Sequence, residues 1–284
     1  IYFETLFQAD NQIRKLSEIR LYPKIGFLLT SLLIYFLLMD VKTNRLAIVF
    51  GLYLLTESIV YIVIIFKLNV SFKNFKKRLN EIWYHNKTFG FNVYLGSIFA
   101  VGFAQLTEIL ISYFGVDNSG VGFYSLAITF TLPLSFIPNT IATTHYKDFS
   151  TSVKVPRRLL FITIGLSLVS LILLWLLVPP FVTYLYGKEF KSVILLNFIV
   201  SFGVIAHGFG DFFNRFLGAN GQGKILRNSA FIVGGCAMFL NILLIPKWGE
   251  DGAAYARLVS GGIYLLIMLF YYLQFIKEKG TNIN

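Results

Sequence analysis

Six ionisable side chains fall inside stretches of chain that are otherwise apolar: Glu57, Glu108, His207, Asp211, Arg215 and Arg257. Placing one charge at the centre of a membrane-crossing helix costs about 2.5–3.5 kcal/mol on insertion scales. Such a group needs a partner, a water-filled cavity or the loss of its charge. His207, Asp211 and Arg215 recur every four residues and so share one helix face. That face reads either as a polar seam or as an Asp211–Arg215 ion pair beside a hydrogen-bonded packing histidine. Glu57 and Arg257 have no opposite charge three or four residues away, which makes each a candidate for lining a solvated cavity.

Other chemistries find little support. The turn from Gly218 to Lys224 has the Gly-x4-Gly-Lys spacing of a phosphate loop. Its next residue, Ile225, stands where magnesium needs Ser or Thr, and an apolar run precedes it where that motif needs a strand. It reads as a tight cytoplasmic turn. His85, His145 and His207 are scattered, and no set of histidines and carboxylates has metal-ligand spacing. Cys236 lies within an apolar run, where it reads as a small core residue. No serine or cysteine nucleophile arrangement stands out. Neither an enzyme nor a resident cofactor is therefore expected.

The elements that must position the six charges are eight apolar runs, each measured against the roughly 20 residues that span hydrocarbon. They are Ile25–Met39, Leu46–Phe66, Phe89–Phe114, Val121–Thr144, Leu159–Val178, Ser192–Leu217, Ile225–Ile245 and Ala253–Ile276. The last two form a hairpin: Pro246 stops the first, and Trp248, Gly249 and Gly252 return the chain past Ala253, Ala254 and Ala256, small enough for close helix approach. Pro133 and Pro138 interrupt the fourth run, remove two backbone donors and mark a candidate hinge. With 56% hydrophobic and 14% charged residues in 284, the composition is that of an all-α, polytopic membrane protein with about eight spans.

Nineteen of the 25 lysines and arginines fall in or around the first, third and later alternate connections, Arg215 and Arg227 at the ends of the runs that flank one of them, and five in the others, with Arg257 left deeper in a run. The positive-inside rule makes the richer side, which includes the C-terminus, cytoplasmic. The formal net charge of +11 is then topology, and nucleic-acid binding is not expected. The basic stretch from Lys67 to Thr88 places Phe72, Phe75, Leu79 and Ile82 at helical spacing. It reads as an orientation-setting linker or as an amphipathic helix on the inner leaflet. It would divide residues 1–66, a remainder of one helical bundle, from a six-helix bundle over 89–284. The opening IYFETLFQADNQIRK reads as the inner end of a helix whose start lies upstream.

Several stretches carry a family likeness: Gly120–Ala127 (GVGFYSLA), Pro180–Phe190 (PFVTYLYGKEF), Leu217–Lys224 (LGANGQGK) and Asn241–Ala256 (NILLIPKWGEDGAAYA), with Glu108 as a commonly acidic position. In these the chain resembles the polysaccharide flippases of the MATE-like multidrug/oligosaccharidyl-lipid/polysaccharide exporter superfamily. The resemblance implies two six-helix bundles, of which these runs would be helices five to twelve. It implies a transporter that flips polyprenyl-diphosphate-linked oligosaccharide units for O-antigen, capsule or exopolysaccharide across the bacterial plasma membrane. The implied partners are that lipid-linked glycan, the bilayer, and glycan polymerase with other polysaccharide assembly proteins. Arg257 and Arg215 would then contact the anionic head, with Glu57, Glu108, His207 and Asp211 as cavity or coupling-ion residues. Arg257 departs from the small or hydroxyl residues more usual there. The rival readings are a MATE-type cation-coupled drug antiporter, which calls for an acidic cavity, and a glycosyltransferase or glycan polymerase, which calls for a large outer loop. A non-catalytic assembly partner is a third.

Overall fold

A computed structural model describes residues 7, 10, 12–37, 45–67, 74–115 and 117–281, except the side chains of 35, 37, 45–46, 85, 88–89, 97, 99–101, 103–105 and 280–281. The ends of the first run at Met39 and of the amphipathic pattern at Phe72 lie outside the described residues. The described chain forms nine α-helices: α1 (Ile13–Leu37), α2 (Arg45–Lys67), α3 (Phe75–His85), α4 (Phe91–Phe114), α5 (Ser119–Thr144), α6 (Tyr146–Thr151), α7 (Arg157–Leu185), α8 (Lys191–Ala219) and α9 (Gly223–Thr281). It divides into two compact units, residues 1–81 and 82–284.

In the first unit α1 packs on α2. Gly26 lies against Thr56, and Phe27 meets Tyr53 edge-to-face with ring centroids 5.6 Å apart. Phe7, Leu16 and Ile19 form a small core, with Tyr61 and Ile64 packed on it. Outside it the apolar side chains of α2 face outward: Phe50, Leu55, Ile59 and Phe66 are all exposed. Water would not tolerate so continuous an apolar surface, whereas hydrocarbon does.

Helix α8 is the centre of the second unit. Glycine lets its neighbours come close. A Cβ on Gly208 would stand 2.9 Å from Pro138 and 3.0 Å from the Ser135 backbone of α5. One on Gly203 would stand 2.6 Å from the Arg257 carbonyl, and Gly210 lies beneath the Tyr264 ring. α7 is fastened to α8 by the Trp175 indole, which donates to Ser201 Oγ at 3.0 Å. Its far side is lined with exposed Phe161, Leu168, Ile172 and Leu176.

Two buried clusters result. One gathers Ile111, Tyr124, Leu134, Val193, Val200, Val204, Ile245 and Ala254. The other gathers Phe149, Phe212, Phe216, Met268 and Tyr272. On α8 the first cluster ends at Val204 and the second begins at Phe212, with His207 and Asp211 between them. On α9 Arg257 and Ser260 occupy the corresponding gap between Ala254 and Tyr264.

The hairpin turns at Gly249, within the return that the sequence reading gives, but its first helix does not stop at Pro246. The helix passes through Pro246 and breaks at Gly249, which adopts φ 54° and ψ −131°. Proline costs one hydrogen bond and a clash inside a helix, but reversing the chain here needs a positive φ that glycine supplies without strain. Ala253, Ala254 and Ala256 are buried as the small-residue pattern implies. The turn after α8 is the tight one expected. Gly221 takes φ 75°, the Gln222 amide donates to the Leu217 carbonyl at 3.0 Å, and Asn220 Nδ2 donates to the Phe149 carbonyl at 2.9 Å. α5 stays helical through Pro133, which is exposed, and Pro138, which is buried.

Five helices among the described residues are long and apolar enough to cross a membrane: Ala47–Lys67, Ser119–Thr144, Arg157–Leu185, Lys188–Ala219 and Gly223–Lys279. The last holds both runs of the hairpin. The first and third runs of the expected eight lie in α1 and α4, several of whose side chains fall outside the described set. The fold is that of a helical membrane protein.

Candidate functional site: a polar cavity in the second unit

A cavity of about 590 Å³ opens between α4, α5, α8 and both segments of α9. Its polar lining comprises Thr107 and Glu108 from α4, Tyr124 from α5, His207, Asp211 and Asn214 from α8, and Ser229, Asn241, Arg257, Ser260 and Tyr264 from α9. Four of the six charged candidates, Glu108, His207, Asp211 and Arg257, therefore meet in one space.

Their partners explain how they are held. Ser125 donates to Glu108 Oε1 at 3.1 Å. The Tyr264 hydroxyl donates to Asp211 Oδ1 at 3.0 Å, while its ring lies against His207 with centroids 4.6 Å apart. Asn214 also hydrogen-bonds to the Tyr264 hydroxyl. Tyr264 is thus the residue that fixes both the acid and the histidine of α8. Its helix crosses α8 closely because Gly210 leaves room for its ring. Asn241 is only 4% exposed and donates through Nδ2 to Thr107 Oγ1 at 2.8 Å.

The other two candidates lie elsewhere. Arg215 turns from the cavity toward α5, where its Nε donates to Asn139 Oδ1 at 2.6 Å. Glu57 belongs to the first unit and hydrogen-bonds to Tyr53, one turn earlier on its own helix. A search for opposite charges passes over that partner, because a phenol supplies the donor.

Among the lining residues that sequence reasoning missed are Asn241, Thr107, Tyr124 and Tyr264. Thr107 stands beside Glu108, so its neighbour was a signal. Tyr124 and Asn241 lie in two of the stretches that carry the family likeness, but Asn241 and the tyrosines are neutral, and nothing in their spacing set them apart. Among the described residues no group of three or more His, Cys, Asp or Glu could hold a metal ion.

Comparison with known proteins is sparse. No family model matches the chain, and no solved structure matches it. Over 119 residues it is 29% identical to "Capsular polysaccharide biosynthesis protein CapF" of Staphylococcus aureus, a stretch that is 42% of this chain and 30% of that protein. The match thus spans less than a third of that relative's length.

Proposed function

We propose that the chain belongs to a transporter that flips polyprenyl-diphosphate-linked oligosaccharide units across the bacterial plasma membrane for surface polysaccharide synthesis. The observation that carries this reading is a polar, mixed-charge cavity walled by Glu108, His207, Asp211 and Arg257 inside a bundle with an apolar exterior. Intramembrane ionisable groups that face a cavity mark a substrate or ion path more often than a packing accident. The similarity to a capsular polysaccharide biosynthesis protein supplies the context. The flippase reading takes eight spans, basic loops in the cytoplasm and a two-bundle arrangement that alternates access around the substrate.

In this scheme the cavity receives part of the sugar head while the polyprenyl tail stays in the bilayer. Arg257 shares its space with Glu108 and Asp211, so fixed charge there is not predominantly positive. Arg215, outside the cavity lining, is the cation we assign to the diphosphate. Pro133 and Pro138 make α5 the proposed bending element.

Depletion of the full-length protein in its own cell, with mass spectrometry of extracted lipids, tests the reading. Accumulation of one polyprenyl-diphosphate repeat unit with loss of surface polysaccharide is expected. Unchanged lipid-linked glycan with new sensitivity to cationic dyes would overturn it in favour of a drug antiporter.

A further inference from the structure

None of the described residues of α3 lines the cavity, yet its side chains are sorted by face. At about 100° per residue, Leu79, Ile82 and Trp83 fall on one side of the helix with Phe75. Lys76 and Arg78 flank that side, and Lys77 and Glu81 lie opposite. Leu79, Ile82 and Trp83 are 50%, 63% and 61% exposed, so the fold leaves this apolar strip largely uncovered. A strip of large apolar side chains set against cations is costly to hold in water and stable at a surface that covers it.

Charge and place narrow what that surface is. From Phe75 to Gly90 the chain carries four cations, Lys76, Lys77, Arg78 and Lys87, and one acid, Glu81, which calls for an anionic partner. Nucleic-acid phosphates would meet the cations and leave the strip bare. A layer of anionic lipid headgroups over acyl chains meets both. The helix also lies between two long apolar helices, α2 and α4, which keep it near a bilayer. Lys76 and Arg78 stand at the strip's two edges, where their stems can cover apolar surface while their charges reach phosphate. Trp83 is a residue type favoured at that depth, and Lys87 holds its ammonium 5.6 Å from the centre of its ring.

We propose that α3 is a binding surface for anionic lipid. It lies in the headgroup layer with Leu79, Ile82 and Trp83 toward the acyl chains and its cations on the phosphates. It turns away from α4 in the π-helical segment Asn86–Gly90 that joins them, the kind of irregularity at which helices bend. This surface goes beyond the flippase reading and does not depend on what the cavity carries.

The test uses the full chain with Cys236→Ala and one added cysteine at a time: Leu79→Cys or Ile82→Cys on the strip, Lys77→Cys or Glu81→Cys opposite. All four positions are exposed, so a fluorophore there reads the surface and leaves the fold alone. The labelled protein is placed in nanodiscs of phosphatidylcholine, with or without phosphatidylglycerol, that contain a nitroxide on the acyl chain. With phosphatidylglycerol, quenching is expected at Leu79 and Ile82 and not at Lys77 or Glu81. Each cation near an anionic surface is worth about fivefold in partition. Omitting phosphatidylglycerol, or combining Lys76→Gln, Lys77→Gln and Arg78→Gln, is therefore expected to cut the quenching at Leu79 and Ile82 by at least about fivefold. Equal quenching on both sides of the helix, or equal quenching in the two lipid mixtures, would overturn the proposal. So would no quenching at any position: a label at Ile82 then open to a water-soluble quencher means that α3 stands in water, and one shielded from it means that protein covers the strip.

Discussion

Tyr264 joins more of the cavity than any charged residue does, since one hydroxyl serves Asp211 and one ring face serves His207. Tyr264→Phe keeps the ring and deletes the donor. It is expected to destabilise the purified protein by about 1–3 kcal/mol, because the acid loses a partner that water cannot readily replace. Thermal unfolding in detergent checks this, and an unchanged midpoint would show that Asp211 has other support. Asp117, in the short connection between α4 and α5, offers a titration outside the membrane. The hydroxyl and backbone amide of Ser119 both donate to it, the amide at 2.9 Å, and hold its carboxyl below the usual carboxylate range. A folded value below the unfolded one, about 3.9, means a stabilisation fully present above that pH and lost as pH falls through the lowered value. Asp117→Asn is expected to flatten the acid limb of a stability–pH profile below about pH 4; an identical limb would remove this contribution.

Among the helices, α8 depends on what its glycines leave out. Gly203→Ala would drive a methyl group into the Arg257 carbonyl. The two helices would have to part, at about 1–3 kcal/mol. Gly165→Ala on α7 meets nothing within 4 Å. It is expected to be neutral or stabilising by about 0.5–1 kcal/mol, through helix propensity alone. Unfolding of the two variants side by side separates packing from propensity, and equal effects would refute the close crossing. Much at this level was legible in the sequence. The described parts of the eight runs fall in helices, and the turns at Gly221 and Gly249 lie where glycine clusters announced them. Pro246 misled because a proline signals a possible helix end, whereas the actual break lies where the backbone needs a positive φ.

For the molecule as a whole, the distribution of basic residues predicts an orientation that thiol labelling can read. With Cys236 replaced by alanine, a single cysteine at Lys154 is expected to react only from the cytoplasmic side. One at Glu189 is expected to react only from the outside. Labelling of both from one side would overturn the positive-inside assignment. The outward-facing apolar surfaces of α2 and α7 fit a bilayer in either orientation, so the charges and not the packing make this prediction.

Composition, run length and loop charge determined by themselves that this is a helical membrane protein with ionisable groups carried into its spans. Those are local properties, set by how many apolar residues follow one another and by the energy of moving them from water to lipid. Which of those groups share a space was decided by tertiary structure. A spacing of four puts His207, Asp211 and Arg215 on one face, yet Asp211 lines the cavity with His207 while Arg215 reaches across to Asn139. The contacts that build the site join residues far apart in the chain, Asn241 to Thr107 across 134 positions and Tyr264 to Asp211 across 53. Periodicity fixes the face of each helix but not its rotation against a neighbour; that is set where glycines let backbones touch.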